Sequence, residues 1–128
     1  MAIIDKSPVV IKWRGMLIPP ETRKIGVATD RNSEVVAFVF PRFYQGVDLA
    51  EKTIYVDSLN NNGQVIDTVE PTMNIGGDTI TLTWIVGPVL SSIDGKVSVR
   101  LRAVGDDYVW LTETGVFWVE KTFMNADE

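Results

Sequence analysis

The 128-residue chain contains neither cysteine nor histidine. Without cysteine it has no disulfide, no thiol nucleophile and no thiolate metal site. Without histidine it lacks the commonest general base and the commonest metal ligand, so a Ser-His-Asp or Cys-His catalytic arrangement cannot be built. We therefore expect no cofactor and no metal site.

Positive charge is also scarce. The chain has 12 Lys and Arg against 17 Asp and Glu, a net charge of −5, and its basic residues are scattered. Nucleic-acid binding needs clustered cations that displace counterions from phosphates, so we expect no nucleic-acid partner. The 45% of hydrophobic and 23% of charged residues are typical of one folded globular domain.

Long apolar runs are absent. No stretch approaches the roughly 20 apolar residues of a membrane-spanning helix, so we expect no membrane span. The first 13 residues do not resemble a signal peptide, because Asp5, Lys6 and Pro8 interrupt the apolar run.

Helical periodicity is almost missing, and alternation with a period of two replaces it. In residues 78–86, Ile80, Leu82 and Trp84 share one face while threonines occupy the other. Residues 96–104 alternate in the same way, which predicts strands with one face in the core and one in water. Further strands are expected over residues 8–13, 34–40, 52–59, 63–69, 107–112 and 115–121.

Turn signals separate these segments. Asn62-Gly63 is the strongest, because both residues accept positive φ, and glycines also mark turns near residues 76–78, 94–95, 105–107 and 114–115. The pattern predicts an all-β fold, an antiparallel β-sandwich of about eight or nine strands, with a barrel as the less favoured alternative. At most one short helical turn is expected, with Asp48 as its N-cap and Glu51 three residues later.

One domain is expected, in three parts. Residues 1–33 form an N-terminal strand and an extended arm that could dock on a partner, since Pro19-Pro20 forbids a regular helix. Residues 34–122 form the sandwich body, and residues 123–128 form a polar tail.

The carboxylates do not suggest an active site. Nearly all of them lie at turns or on polar strand faces, and no spacing singles out a pair with the separation that a glycosidase needs. Residues 58–63 loosely echo a calcium loop, but Val69 stands where the bidentate acid belongs. We expect that the protein is not an enzyme and has no catalytic residues.

Four tryptophans are many for this length. Trp84 lies on the face of its strand that is expected to point into the core. Trp118 and Trp110 lie in strands that are apolar on both faces, so one of them is expected to be a surface ring. Such a ring suits a protein interface or stacking against a sugar.

The segment PRFYQG, residues 41–46, turns the chain between two strands. Arg42 and Tyr44 would share a face there if the chain stayed extended, which makes them further candidates for an interface. A structural interpretation is favoured, in which Asp48 caps the bend and Arg42 pairs with a nearby acid.

The order of these motifs resembles a known family. An aromatic-Pro-Arg-aromatic corner at residues 40–44, a Val-Asp-Leu turn at 47–49, a Thr-Trp segment at 83–87 and a Gly-Lys-Val strand at 95–99 are similar to small structural proteins of bacteriophages that infect Gram-positive bacteria. The likeness spans residues 24–119. It extends to the N-terminal sandwich of upper baseplate proteins and to the shoulder domain of lactococcal phage receptor-binding proteins.

The resemblance implies a virion component of the tail, baseplate or fibre, made in the host cytoplasm. Its partners would be other tail or baseplate proteins and further copies of itself. Because the chain ends soon after the sandwich, a connector or accessory role is expected rather than direct receptor binding. The alternative is a lectin-like module that recognises host cell-wall polysaccharide through Trp110 or Trp118.

Overall fold

The computed structural model describes residues 7–28, 34–61, 64–88 and 90–121. The predicted all-β fold is confirmed, since strands dominate this part of the chain. No helix there has the length and apolar character needed to cross a membrane. The described strands, in chain order, are β1 Val9–Lys12, β2 Gly15–Leu17, β3 Lys24–Val27, β4 Val35–Pro41, β5 Phe43–Tyr44, β6 Val47–Asp48, β7 Thr53–Asn60, β8 Val65–Val69, β9 Thr72–Gly76, β10 Thr79–Ile85, β11 Gly95–Gly105, β12 Tyr108–Leu111 and β13 Gly115–Glu120.

These strands outnumber the eight or nine that were expected. The extra ones are β2, β3, β5, β6 and β9, which have between two and five residues. The shortest of these, β5 and β6, contain too few alternating positions to stand out in a sequence.

Two sheets contain most of the strands. The first sheet has the order β2-β1-β4-β10-β9, and the second has β3-β13-β11-β7-β8 with β12 beside the far half of β11. β5 and β6 form a separate two-stranded unit, here called the corner ribbon. The pairings are antiparallel except β1 with β4 and β13 with β3, which are parallel.

The core lies between the two sheets. The predicted inward residues of β10 and β11 are buried there, and Trp84 is fully buried as expected. The Trp84 ring on the first sheet meets Phe117 on the second, with 6.5 Å between ring centroids. Side chains from both inner faces thus fill one layer, as in a β-sandwich.

The N-terminal segment differs from the expected extended arm. Over residues 7–28 it lies within the sheets, because β1 pairs with β4 and β3 pairs with β13. The Pro19-Pro20 segment carries the chain from the first sheet to the second through a 3-10 turn at Pro20–Thr22. Thr22 and Ile25 are completely buried, so this segment contributes to the core.

Several turns form where they were expected. Asp48 caps the 3-10 turn Leu49–Glu51 by accepting a hydrogen bond from the Ala50 N–H. Two further 3-10 turns, Pro20–Thr22 and Leu90–Ser92, exceed the single helical turn that was expected. The predicted Asn62-Gly63 turn lies outside the described residues, although the flanking strands β7 and β8 do pair antiparallel. The polar tail also lies outside them.

The sandwich has two distinct ends. β1 and β4 run in parallel towards the corner ribbon. We call the end of the sandwich that carries this ribbon the corner end. β13 begins near that end, where the Glu113 N–H donates to the Arg14 carbonyl, and runs away from it. Ser7 and Lys121, the first and last described residues, therefore lie towards the opposite end, here called the terminal end.

Candidate functional site

An open cavity of about 520 Å³ lies at the corner end, between the ends of β1 and β4 and the corner ribbon. Its volume falls within the roughly 300–1,000 Å³ typical of ligand pockets. Most of the side chains around it are apolar, and we call it the aromatic groove. Its lining includes the buried Phe40, Leu49 and Trp110 and the more exposed Trp13, Phe43 and Tyr44.

Four rings form a continuous series from the surface to the core. Trp13 meets Tyr44 edge-on with centroids 6.2 Å apart. Tyr44 lies 5.7 Å from Trp110, and Trp110 stacks on Phe40 at 5.9 Å. All these distances lie within the range of favourable aromatic pairs, so the exposed rings of the groove are continuous with the hydrophobic core.

Trp13 occupies a costly position. It lies in the two-residue turn between β1 and β2, where Lys12 pairs with Gly15, and its φ is +62°. A side chain in this left-handed region costs about 1–2 kcal/mol. The indole is nevertheless 69% exposed, so its own burial does not offset this cost.

Arg14 fixes this turn to the rest of the groove. Its Nε donates to the Tyr44 hydroxyl at 3.0 Å, and its Nη1 donates to the Leu111 carbonyl at 2.8 Å. The guanidinium carbon is also 5.0 Å from the centroid of the Tyr44 ring, in cation–π range. One side chain therefore connects the first sheet, the corner ribbon and the second sheet.

Arg42 and Asp48 brace the corner ribbon. Arg42 donates to both carboxylate oxygens of Asp48, at 2.9 and 2.8 Å, and the Ala50 N–H donates to one of them at 3.0 Å. The bond from Arg42, with help from Ala50, lowers the pKa of Asp48 despite its partial burial. The predictions that Asp48 caps the bend and that Arg42 pairs with a nearby acid are thus both confirmed. The carboxylate of Asp48 makes both interactions.

The turn of the corner ribbon projects a polar side chain beside the rings. Gln45 and Gly46 join the paired residues Tyr44 and Val47, with φ of +47° and +82°. Two successive positive φ values are typical of a type I′ hairpin turn, in which glycine is favoured. The turn fixes Tyr44 in the groove wall and Gln45 at its edge.

The groove edge carries polar groups of both charge signs. Lys12, Gln45, Asp78 and Thr79 line it, and all four are exposed. In its buried lining, Trp110 Nε1 has no hydrogen-bond partner among the described residues. The arrangement combines apolar contact area with a few hydrogen-bonding groups, as binding sites do.

Two predicted site residues meet in the groove. Tyr44 and Trp110 both line it, while Arg42 lies beside it and bonds to Asp48 rather than sharing contacts with Tyr44. Of the two tryptophans expected to include a surface ring, Trp110 is the inward one, because it is only 1% exposed. Trp110 pairs with Ala103 of β11 and shares its inward face, which leaves the neighbouring Val109 outside at 62% exposure.

Trp118 is the exposed ring of the predicted pair. It is 50% exposed on the outer face of the second sheet, far from the groove series. Its strand neighbours in register are Lys24 and Lys96. Lys24 forms an ion pair with Glu120 at 3.0 Å, so the indole lies among charged side chains.

The outer face of the second sheet also carries a carboxylate with several partners. Asp57 accepts from Arg100 Nε at 3.1 Å, from Arg102 Nε at 2.9 Å and from the Thr68 hydroxyl at 3.1 Å. Burial raises the pKa of Asp57, but the bonds from Arg102, Arg100 and Thr68 outweigh it, and the pKa is lowered. This carboxylate is held in its ionised form by cross-strand pairing.

The sequence interpretation missed Trp13 and Phe43. A sequence signal was present for Trp13, which stands two positions before Gly15 in a turn-like context. The contact of Phe43 with Arg42, whose guanidinium carbon lies 5.3 Å from the centroid of the Phe43 ring, is visible only in the structure.

In the described ranges, no group of three or more acidic side chains is arranged to hold a metal ion. No family model matches the sequence, and no curated protein matches it significantly.

Proposed function

We propose that the protein is a structural component of the tail, baseplate or host-adhesion device of a bacteriophage and that it acts through protein–protein assembly. It would reside in the virion after synthesis in the host cytoplasm. Its partners would be other tail or baseplate proteins and copies of itself, with no catalytic role.

The observation that carries this proposal is the aromatic groove. Trp13 and Phe43 expose 69% and 49% of their surface beside the half-buried Tyr44, on well-braced elements. Protein interfaces are enriched in Trp, Tyr, Phe and Arg, and a contact that covered these rings would gain free energy by removing apolar surface from water.

The position of the sequence motifs supports the same proposal. The residues that carry the resemblance at 40–44 and 47–49 lie in the end of β4 and the corner ribbon, next to the groove. Residues 83–87 and 95–99 lie instead towards the terminal end. The corner motif thus accounts for much of the groove wall.

The charged side chains also fit a binding role. Asp48 and Asp57 both form short ion pairs with arginine side chains. A general base needs a carboxylate that is free to accept a proton near the working pH. The lowered pKa values of these two carboxyl groups favour their ionised forms, which hold the arginine partners in place instead.

Labelling of phage particles tests the proposal. Antibodies raised against the purified chain are applied to virions, followed by immunogold electron microscopy. We expect gold at the tail tip or baseplate. Complete absence of label on denatured and native virions, with a strong signal in infected-cell lysate, would contradict a virion role.

A groove variant sharpens that test. The double change Trp13→Ser and Phe43→Ser removes the exposed rings and leaves the buried lining in place. Phages that carry it should incorporate less of the protein than phages with the control change Val109→Ser, which removes a side chain of comparable exposure at 62% on β12.

A second candidate function rests on Trp118. Its half-exposed ring, between Lys24 and Lys96, could stack against a pyranose face of cell-wall polysaccharide. Pull-down with purified host cell walls tests this. Loss of binding on Trp118→Ala, with the unfolding midpoint unchanged and with binding retained in Val109→Ala, would favour the lectin-like function.

A further inference from the structure

We propose that residues 1–6 of a second copy of this chain bind in the aromatic groove, so that copies associate end to end. This inference rests on the proposed function in assembly and names one of its partners. It is carried by the position of the groove, the reach of the segment and the match of apolar and charged groups.

The segment cannot easily reach the exposed rings of the groove in its own chain. It enters β1 from Ser7, and although the groove begins beside Val10, Trp13 and the other exposed rings lie past Lys12 at the other end of that strand. The six-residue path from Ser7 to Trp13 covers about 20 Å at the usual strand rise. Six fully extended residues span at most about 20–22 Å, and reversing direction consumes part of that length.

The sheet offers no free place beside β1 for such a return. β1 is paired with β2 on one side and with β4 on the other. A groove at the corner end of one copy and a segment that emerges towards the terminal end of another can meet without this obstacle. The segment of a second copy is therefore the occupant that the geometry favours.

The composition of the segment matches the groove. Residues 1–6 read MAIIDK, with Ile3 and Ile4 followed by one acid and one base. The groove offers an apolar lining with Lys12 and Asp78 at its edge. Asp5 can pair with Lys12 and Lys6 with Asp78, so both charges find an opposite partner.

The C-terminal residues match less well. Residues 122–128 read TFMNADE, and their two charges are both negative. They would suit Lys12 but would face Asp78 with like charge, which disfavours a contact. This difference selects the N-terminal segment and makes the C-terminal one a natural control.

The resulting contact would be heterologous, since the groove of one copy meets the segment of the next. Heterologous contacts produce closed rings when their rotation closes and filaments when it does not. Either form suits a repeated component of a phage tail or baseplate.

Sedimentation velocity over a range of concentrations provides the first test. The full chain should self-associate, a chain lacking residues 1–6 should remain monomeric, and a chain lacking residues 122–128 should behave like the full chain. Equal self-association with and without residues 1–6 would overturn the proposal.

Peptide binding provides the second test, and it does not depend on how strongly the full chain associates. A peptide of residues 1–8 is titrated into the chain that lacks residues 1–6, and tryptophan fluorescence is followed. We expect saturable binding that is lost on Trp13→Ser with Phe43→Ser and retained on Val109→Ser. Absence of binding at millimolar peptide would overturn the proposal.

Charge reversal makes the second test specific. Lys12→Glu should weaken binding about tenfold, and a peptide with Asp5→Lys should recover most of that loss. Equal binding of both peptides to both chains would overturn the assigned pairing. A saturable change in tryptophan fluorescence on addition of cell-wall saccharide, with no change on addition of the peptide, would show a sugar site instead.

The outcomes also separate this proposal from the proposed function. Gold label on virions together with monomeric behaviour and no peptide binding would reject the end-to-end contact alone. Peptide binding together with absence from virions would reject the virion role and leave self-association standing.

Discussion

Two clusters of aromatic rings share one strand and differ in what covers them. The core cluster consists of Phe38, Trp84 and Phe117, and its members are completely buried. The groove cluster consists of Trp13, Phe40, Tyr44 and Trp110, and it continues from the buried side of the sheets to the surface. β4 supplies Phe38 to one cluster and Phe40 to the other.

The two ends of the sandwich are closed differently. At the terminal end the connection between β10 and β11 supplies Val86 and Leu90 to the core. Asn60 holds this connection by donating to the carbonyls of Leu90 and Ile93, at 2.9 and 2.7 Å. At the corner end the ribbon stands beside the rings and leaves the groove open.

Identical side-chain types thus serve different purposes according to what covers them. Rings sealed between sheets contribute burial energy to folding. Arg14 and the Arg42–Asp48 pair hold the groove rings in place at the surface. The exposed apolar area of these rings can then be buried by a partner. The two clusters should therefore respond differently to the same kinds of change.

The largest expected effect is that of Trp84→Ala in the core cluster. Removing a completely buried indole should lower the free energy of unfolding by about 3–5 kcal/mol, because the lost burial is compounded by a cavity. Urea denaturation followed by far-UV circular dichroism measures it. A loss below about 1 kcal/mol would mean that the core cluster is not sealed.

Trp110→Ala should cost less than Trp84→Ala, about 2–4 kcal/mol. Trp110 is almost as buried, but it lies against the open groove, so water can enter the space that it leaves. The same denaturation experiment compares the two variants. Equal losses would remove the distinction between a sealed and an open cluster.

The corner end should lose stability in acid. Asp48 has its pKa lowered by Arg42, so its contribution is fully present above the ordinary carboxyl pKa of about 4 and is lost as the pH falls through the lowered value. Asp48→Asn should flatten this part of the pH profile.

Thermal unfolding between pH 7 and pH 2 tests the effect of Asp48. Asp57→Asn is compared alongside it and should flatten the profile as well, since the lowered pKa of Asp57 contributes with the same sign from the second sheet. Identical profiles for the wild type and Asp48→Asn would contradict the role assigned to the Arg42 pair.

The smallest expected effect on stability is that of Trp13→Gly. Glycine relieves about 1–2 kcal/mol of left-handed strain, while the lost ring contact with Tyr44 costs about 0.5–1.5 kcal/mol. The free energy of unfolding should change by less than about 1 kcal/mol, and binding of the 1–8 peptide should weaken strongly. A large destabilisation would show that Trp13 serves the fold rather than a partner.

Alternation in the sequence was sufficient to predict the regular strands. Trp84 was placed in the core correctly because threonines mark the opposite face of its strand. Trp110 and Trp118 could not be told apart, because the strand of Trp110 is apolar in both phases and the pattern does not say which face is inward. Pairing of β12 with β11 through the Asp106-Asp107 turn directs Trp110 inward.

The local part of the site was predictable as well. Arg42 and Asp48 are six positions apart, and the bend between them brings their charges together with few alternatives. The groove was not predictable, because Trp13, Tyr44 and Trp110 come from distant parts of the chain and meet only after both sheets have formed.

The all-β class, the faces of the alternating strands and the capped corner at residues 41–48 follow from the amino-acid sequence. These features depend on period-two alternation and on hydrogen bonds between residues close in the chain. The entry of the N-terminal strands into both sheets, the inward direction of Trp110 and the open aromatic groove beside the corner ribbon arise only when the chain folds. Those outcomes depend on strand order and register, which are set by contacts between residues far apart in sequence.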